Sequence, residues 1–170
     1  MYKHFLIPTD GSALSEAAAA SGIRLAKALG ARVTALHVVP ILADAPLEGW
    51  AHGDTASRSR LKALFEQQAQ QYLAAIEQQA KKAGIRCACI TLRGDSPYEG
   101  ILKTAAGQGC DLIHMASHGR KGTSALVLGS ETVKVLTHGA IPVLVHREGG
   151  ALSTLAGTPS RRRSRSSSKK

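Results

Sequence analysis

The sequence predicts an α/β protein built on an open five-stranded parallel sheet with helices on both faces. Short apolar segments rich in β-branched residues alternate with longer segments in which apolar residues recur at helical spacing. Capping residues, glycines and prolines separate the two kinds of segment. Strands that are joined through helices form βαβ units, and these units require a parallel sheet that is covered on both sides.

The first half of the chain contains two strands and two helices. The predicted segments are a strand at 4–8, a helix at 12–29, a strand at 31–39, a loop at 41–56 and a helix at about 57–83. Ser12 is a helix-capping residue, and Gly30 is a typical helix stop. Pro40 closes the second strand because it cannot continue the ladder of hydrogen bonds.

The second half repeats the alternation. The predicted segments are a strand at 85–92, a helix from 96 to 107 or 109, a strand at 111–116, a helix at 130–137 and a strand at 141–145. Ser96, Pro97 and Glu99 form a helix-start pattern with a cap, a first-turn proline and an acidic residue. Pro142 lacks an amide hydrogen, which suits a strand at the edge of the sheet.

Length and composition restrict the class of protein. The 170 residues are enough for one domain, which we expect to cover 1–147. No apolar run approaches the roughly 20 residues that span a bilayer, so no membrane partner is expected. Three cysteines are too few and too uneven for a disulfide framework, which favours a reducing cytoplasm.

The basic charge is concentrated at the carboxyl end. Formal net charge is +10, and half of it lies in residues 148–170, where arginine, lysine and serine predominate. Such a segment cannot bury a core, so we expect a disordered tail. It could hold nucleic acid or another polyanion only weakly and in a salt-dependent way. A solvated tail without a partner is the simpler interpretation.

Two segments could carry chemistry, and both follow predicted strands. Pro8, Thr9, Asp10, Gly11 and Ser12 form a turn that opens a helix, where free amide groups favour anions. An ordinary capped turn would have the same composition. In parallel sheets, ligands bind beyond the carboxyl ends of strands, so this turn is a candidate ligand site.

The second segment runs from Met115 through Ala116, Ser117, His118, Gly119 and Arg120 to Gly129 and Ser130. Its glycines permit close backbone approach, Arg120 adds positive charge, and Ser130 opens a helix. A charged surface loop is the alternative. The segment lacks both the Walker string and the dinucleotide-binding string of glycines.

Together these segments resemble the universal stress protein family. The resemblance covers about residues 1–147 and includes Leu36-His37-Val38 and the stretch from Ser117 to Glu131. The family's nucleotide-binding pattern is Gly-x2-Gly-x9-Gly-Ser/Thr. Gly119, Gly129 and Ser130 match its second half, whereas Ala116 replaces the first glycine.

The resemblance implies the strand order 3-2-1-4-5, ATP as ligand with or without Mg²⁺, and a homodimer formed through the last strand, here 141–145. Asp10 and Val38 would contact adenine or ribose, and Pro8 and Thr9 would shape the pocket. Met115 and Ala116 would lie along the ribose. The phosphate end would be lined, mostly by backbone amides, by His118, Gly119, Arg120, Gly129, Ser130 and Glu131, and Ser117 is a further candidate for cofactor binding.

Three functions stay open at this point. The first is a cytoplasmic ATP-binding stress protein that regulates rather than turns over rapidly, with slow hydrolysis or self-phosphorylation as the most it would catalyse. The second is a dimeric member whose pocket is empty, for which Ala116 is the support. The third is an enzyme of adenylyl transfer, although the Ser-Gly-Gly-x-Asp-Ser string is missing.

The histidines and cysteines indicate no additional site. His37 and His114 lie in apolar strands, where a hydrogen-bonded core imidazole is expected. No four-ligand metal spacing is visible. Cys87 and Cys89 face the same side of one strand and are expected to be small buried thiols, because redox pairs have Cys-x-x-Cys spacing.

Overall fold

The computed structural model describes residues 1–41, 55–119 and 128–147. The elements are β1 (His4–Pro8), α1 (Ala13–Leu29), β2 (Arg32–Val39), α2 (Thr55–Ala83), β3 (Cys87–Arg93), α3 (Pro97–Gly107), β4 (Leu112–Ala116), α4 (Ser130–His138) and β5 (Val143–His146). The strands pair in parallel in the order β3-β2-β1-β4-β5. The predicted fold class and strand order are therefore confirmed.

The core consists of two layers separated by the sheet. Phe5 and Ile7 of β1 pack on one face against α1 and α2, where Ile76 is also buried. Leu6, between them, packs on the opposite face against α3 and α4, together with Ile101. Successive strand residues point to opposite faces, so one short apolar strand supplies both layers.

The ends of the first helix follow the sequence signals. Ser12 has an extended backbone, and its hydroxyl accepts a hydrogen bond of 3.2 Å from the amide of Ser15. Gly30 ends the helix in the left-handed conformation, with φ at 63°. This conformation is strained for residues that carry a Cβ atom, which explains the glycine.

Two strands begin two residues later than the sequence predicted. β3 begins at Cys87 because the amide of Ile85 is used to close α2, donating to the carbonyl of Ala80 at 2.9 Å. β5 begins at Val143 because Pro142 has no amide hydrogen to donate, although its carbonyl accepts from Ile113 at 2.9 Å. β5 lies at the edge of the sheet, as Pro142 suggested.

The prediction that Cys87 and Cys89 are small buried thiols is wrong. Cys110 is buried and Cys87 is half-buried, but Cys89 is exposed because β3 is an edge strand. Burial raises the pKa of Cys87 to about 12 and that of Cys110 to about 11. Both thiols therefore remain protonated at neutral pH, which makes them poor nucleophiles.

His114 does not form the hydrogen-bonded core imidazole that was expected. The side chain is buried in β4, and its Nδ1 atom has no hydrogen-bond partner. Gly22 of α1 lies against the ring, where an added Cβ atom would be 3.2 Å from Nδ1. Burial lowers the pKa of His114 to about 4, with a smaller contribution from His146. The ring is therefore neutral at physiological pH.

Other predictions concern parts of the chain that are only partly covered. The tail at 148–170 and most of the loop at 41–56 lie outside the described residues. Within residues 1–41, 55–119 and 128–147, no three His, Cys, Asp or Glu side chains are grouped so as to hold a metal ion. The helices in these ranges are too short or too polar to cross a membrane.

Acid should destabilise the protein through His114. Its folded pKa of about 4 lies below the unfolded value of 6.5, so the unfolded state binds more protons as pH falls between them. The stability that the neutral ring supports is present above pH 6.5. It should fall by up to about 1.4 kcal/mol per pH unit below that value.

Urea unfolding from pH 7 to pH 4.5 measures the slope of the unfolding free energy against pH. His114→Leu should flatten it, whereas His138→Gln, at an exposed histidine, should leave it unchanged. Part of the slope should persist in both variants because burial also lowers the pKa of His4. Equal slopes in wild type and His114→Leu would contradict the prediction.

Candidate functional site

A cleft of about 580 Å³ opens at the carboxyl edge of the sheet. Its walls come from the ends of β1, β2 and β4 and from the first turns of α3 and α4. The predicted site residues that line it are Pro8, Thr9, Asp10, Val38, Met115, Ala116, His118, Gly119, Gly129, Ser130 and Glu131. The structure thus brings the two chemistry-bearing segments to one place.

One described site residue, Ser117, does not line the cleft. Ser117 is buried behind the wall, where its amide donates to the carbonyl of His146 at 2.8 Å. Arg120 lies outside the described residues. Residues that the sequence did not single out also line the cleft: Ser15, Leu36, His37, Pro97, Ile101 and Thr132.

The β1–α1 turn holds the carboxylate of Asp10 in place. Oδ1 of Asp10 accepts hydrogen bonds from the amide of Ser12 at 3.0 Å and from its hydroxyl at 2.7 Å. The same hydroxyl accepts from the amide of Ser15 and so caps α1. The aspartate and the helix cap form one network, which fixes the carboxylate at the wall of the cleft.

His37 is fixed by the same region of the chain. Its Nδ1 atom lies 2.7 Å from the carbonyl oxygen of Thr9, and a carbonyl can only accept. Nδ1 therefore carries the proton, which leaves Nε2 as an acceptor in the neutral ring. The edge of the ring contacts Tyr72 of α2, with centroids 5.3 Å apart. In the sequence, His37 stands beside Val38 at the end of a predicted strand, and this position could have identified it as a cleft residue.

Gly119 and Gly129 are required for protein contacts. An added Cβ atom at Gly119 would lie 2.5 Å from Oδ2 of Asp10, and one at Gly129 would lie 3.0 Å from Cα of His118. The amide of Gly129 donates to the carbonyl of Ser117 at 2.8 Å. The missing side chains therefore let two loops pack together. The sequence analysis predicted that both glycines line the phosphate end of a ligand site, and that stays a prediction.

The first turn of α4 faces the cleft. Gly129 is its N-cap and offers no side chain to the helix amides. Thr132 donates its hydroxyl to the carbonyl of Ala116 at 3.1 Å, which ties this turn to the end of β4. Ser130 lines the cleft beside it. A helix amino terminus with this orientation favours an anion.

Glu131 connects α4 to α3. Its Oε2 atom accepts a hydrogen bond of 2.9 Å from the amide of Tyr98, in the first turn of α3. Ser96, the predicted cap, makes no side-chain hydrogen bond to that turn. The predicted helix start at Ser96, Pro97 and Glu99 is confirmed, but a carboxylate from another helix, and not the Ser96 side chain, satisfies the amide. Glu131 also accepts from Nζ of Lys134 at 2.9 Å, which raises the pKa of Lys134.

Ala116 stands where the family pattern has its first glycine. It is buried and packs in a cluster with Leu14 and Ala18 of α1. The alanine side chain is a single methyl group, and this cluster packs around it. The substitution therefore fills space beneath α1.

The sequence profile of the universal stress protein family matches residues 1–147. The chain belongs to the universal stress protein family. Universal stress protein MJ0531 of Methanocaldococcus jannaschii is 32% identical over 147 residues, which is 85% of this chain and 82% of that protein.

Solved structures of universal stress proteins share the fold. The structure of MJ0577 from the same organism has a TM-score of 0.71 and 29% identity, covering 89% of this chain and 99% of that one. A universal stress protein in complex with cAMP has a TM-score of 0.65 and 19% identity, covering 86% and 99% respectively.

The turn after β1 in this universal stress protein should tolerate no side chain at Gly11. Its φ of 74° is left-handed, and an added methyl group would overlap the ring of Tyr72. Gly11→Ala should lower the free energy of unfolding by more than about 2 kcal/mol, since backbone strain and a steric clash add.

Gly30→Ala is the matched control, because Gly30 has a similar φ of 63° and open space around it. Gly30→Ala should lower the free energy of unfolding by about 1 kcal/mol, through backbone strain alone. Urea unfolding of both variants measures the difference. Equal losses of unfolding free energy in the two variants would show that the Tyr72 ring moves aside without destabilising the protein.

Proposed function

We propose that the cleft binds ATP and that the protein is a nucleotide-dependent regulatory module of the cytoplasmic stress response. The observation that carries this proposal is the convergence of the β1–α1 turn, the β4–α4 loop and the amino end of α4 on one cleft. In open parallel sheets this crevice is where nucleotides bind. A solved universal stress protein of the same fold is a complex with cAMP, which supports a nucleotide as the ligand class.

The walls suit the parts of a nucleotide. Leu36, Val38, Ile101 and Met115 contribute apolar surface for a base. The carboxylate of Asp10 can accept hydrogen bonds from ribose hydroxyls or an amine. Ser130 and the amides of the first turn of α4 would receive the phosphates. The volume of about 580 Å³ lies within the range of small-molecule sites.

An empty-pocket member of the family is the second candidate, and Ala116 was its support. The packing of Ala116 with Leu14 and Ala18 gives the methyl group a role in the core at the edge of the cleft, which weakens that support. The adenylyl-transfer alternative gains no observation from the cleft. We therefore favour a binding protein in which any hydrolysis of ATP or self-phosphorylation is slow.

We also propose a homodimer that pairs through β5. This strand lies at the edge of the sheet, and Leu144 is 41% exposed on it. Val133 and Leu136 of α4 are exposed as well. A bare edge with apolar side chains favours pairing with a second chain, and a twofold axis would close both edges at once.

Calorimetric titration with ATP and adenosine tests the binding proposal. Asp10→Asn keeps an oxygen for Ser12 but places an amide where the carboxylate stood. It should weaken ATP and adenosine equally, by about tenfold or more, since the lost acceptor would serve the nucleoside. Arg120→Ala should weaken ATP more than adenosine, because it removes positive charge.

The thermal midpoint of Asp10→Asn is the control for folding and should stay near that of the wild type. Loss of ATP binding alone in Asp10→Asn would place Asp10 at the phosphates. If the wild-type protein binds neither ATP nor adenosine at millimolar concentration, the empty-pocket candidate would replace the ATP-binding proposal.

Light scattering tests the dimer. The wild type at micromolar concentration should show about twice the chain mass of 17.8 kDa. Leu144→Lys should give the monomer, because it places a charge on the proposed interface at an exposed position. Val143 is less suitable, since it also packs against the core. Lys103→Ala, on α3, is a surface control that should stay dimeric. A monomeric wild type would contradict the proposal.

A further inference from the structure

Cys87 and Cys89 form a pair of free thiols on one face of β3. In a strand, side chains two positions apart point to the same side. The thiol of Cys89 donates to the carbonyl of Leu73 in α2 at 3.7 Å, and Cys87 packs against the core layer beneath that helix. Burial is the main cause of the raised pKa of each thiol, and each thiol also changes the pKa of the other, so the two sulfur atoms interact.

The pair is accessible from the edge of the sheet. β3 is the terminal strand of the described sheet and pairs there with β2. Cys89 is exposed and Cys87 is half-buried, whereas Cys110 is buried in the opposite core layer. A small ion can therefore reach both sulfur atoms of the pair without a change in the fold.

The backbone geometry excludes a disulfide between the two cysteines. A strand rises about 3.3 Å per residue, so Cβ atoms two positions apart are separated by roughly 6.6 Å. A disulfide needs a Cβ separation of about 3.5–4.5 Å. The parallel register with β2, which pairs Cys87 with Val33 and Cys89 with Ala35, holds the two positions apart. Joining the sulfur atoms without moving the backbone therefore takes a bridging group.

A soft metal ion has the dimensions of this bridge. A two-coordinate ion with metal–sulfur bonds of roughly 2.3 Å, as in zinc thiolates, holds its sulfur atoms about 4.6 Å apart. Thiols on Cβ atoms about 6.6 Å apart reach this separation by leaning toward each other. Thiolates select soft cations, and Cu(I) accepts as few as two of them. Among the residues that the structure describes, no third His, Cys, Asp or Glu completes a group, which disfavours four-coordinate Zn²⁺.

We propose that Cys87 and Cys89 form a two-coordinate thiolate site for Cu(I) at the β3 edge of the sheet. The site is separate from the cleft, because neither cysteine lines it. Cu(I) replaces the two thiol protons, which are released to solvent, and no electron is transferred. The loaded pair carries one net negative charge, since two thiolates share one monovalent cation.

Anaerobic titration of the reduced protein with Cu(I), in competition with the chromogenic chelator bicinchoninate, tests the site. The wild type should take one Cu(I) per chain. Cys87→Ser and Cys89→Ser should each weaken binding at least about 100-fold, since even groups that only orient a metal ligand contribute 10- to 100-fold. Cys110→Ser is the matched control and should keep the wild-type affinity, because it lies in the other core layer. Thermal midpoints verify that each variant is folded.

Glu77→Gln tests the number of ligands. The carboxylate of Glu77, in α2, contributes after burial to the raised pKa of both thiols. Because the loaded pair is negative, removing this exposed charge should strengthen Cu(I) binding by up to about fivefold. Weaker binding in Glu77→Gln would make the carboxylate a third ligand and overturn the two-coordinate site.

The remaining outcomes are equally decisive. Unchanged affinity in Cys87→Ser or Cys89→Ser would overturn the proposal, as would an equal loss in Cys110→Ser. One Cu(I) per two chains would also overturn it, because a bridge between chains needs only one sulfur from each. X-ray absorption of the loaded wild type should show two sulfur neighbours around copper, and any other number would contradict the site.

Discussion

The position of β1 at the centre of the sheet is the constraint on which the rest of the structure depends. Its residues are buried from both faces, and its neighbours β2 and β4 lead away in opposite directions. The segments that follow β1 and β4 must therefore separate, which opens a crevice at their carboxyl ends. The cleft is a consequence of strand order, and side chains from both segments only line it.

Hydrogen bonds and close packing then make this crevice a defined site. Ser12 fixes the carboxylate of Asp10 and caps α1 with one hydroxyl. Thr9 sets the tautomer of His37. Gly119 lets the β4–α4 loop approach Asp10, and Gly129 lets it fold back on His118. The geometry is therefore determined by contacts within the protein.

The sequence predicted every described helix and strand and the two segments that meet at the cleft, because apolar periodicity and capping signals are local. It did not predict that the side chain of Glu131 would accept from the first turn of α3, because that contact joins residues 33 positions apart in the chain. It also missed the packing of Ala116 beneath α1 and the unpartnered Nδ1 atom of His114. Each depends on how α1 approaches β4, which no local pattern encodes.

The separation of the core into two layers has a mechanical consequence. The side chains of α1 and α2 meet those of α3 and α4 only through the sheet, since the two large clusters share no residue. Thr132 and Glu131 tie the first turn of α4 to β4 and to α3, so a displacement of that turn would be transmitted to both elements. Such a displacement would move Ser130 relative to the wall that holds Asp10 and His37, and so would change the width of the cleft.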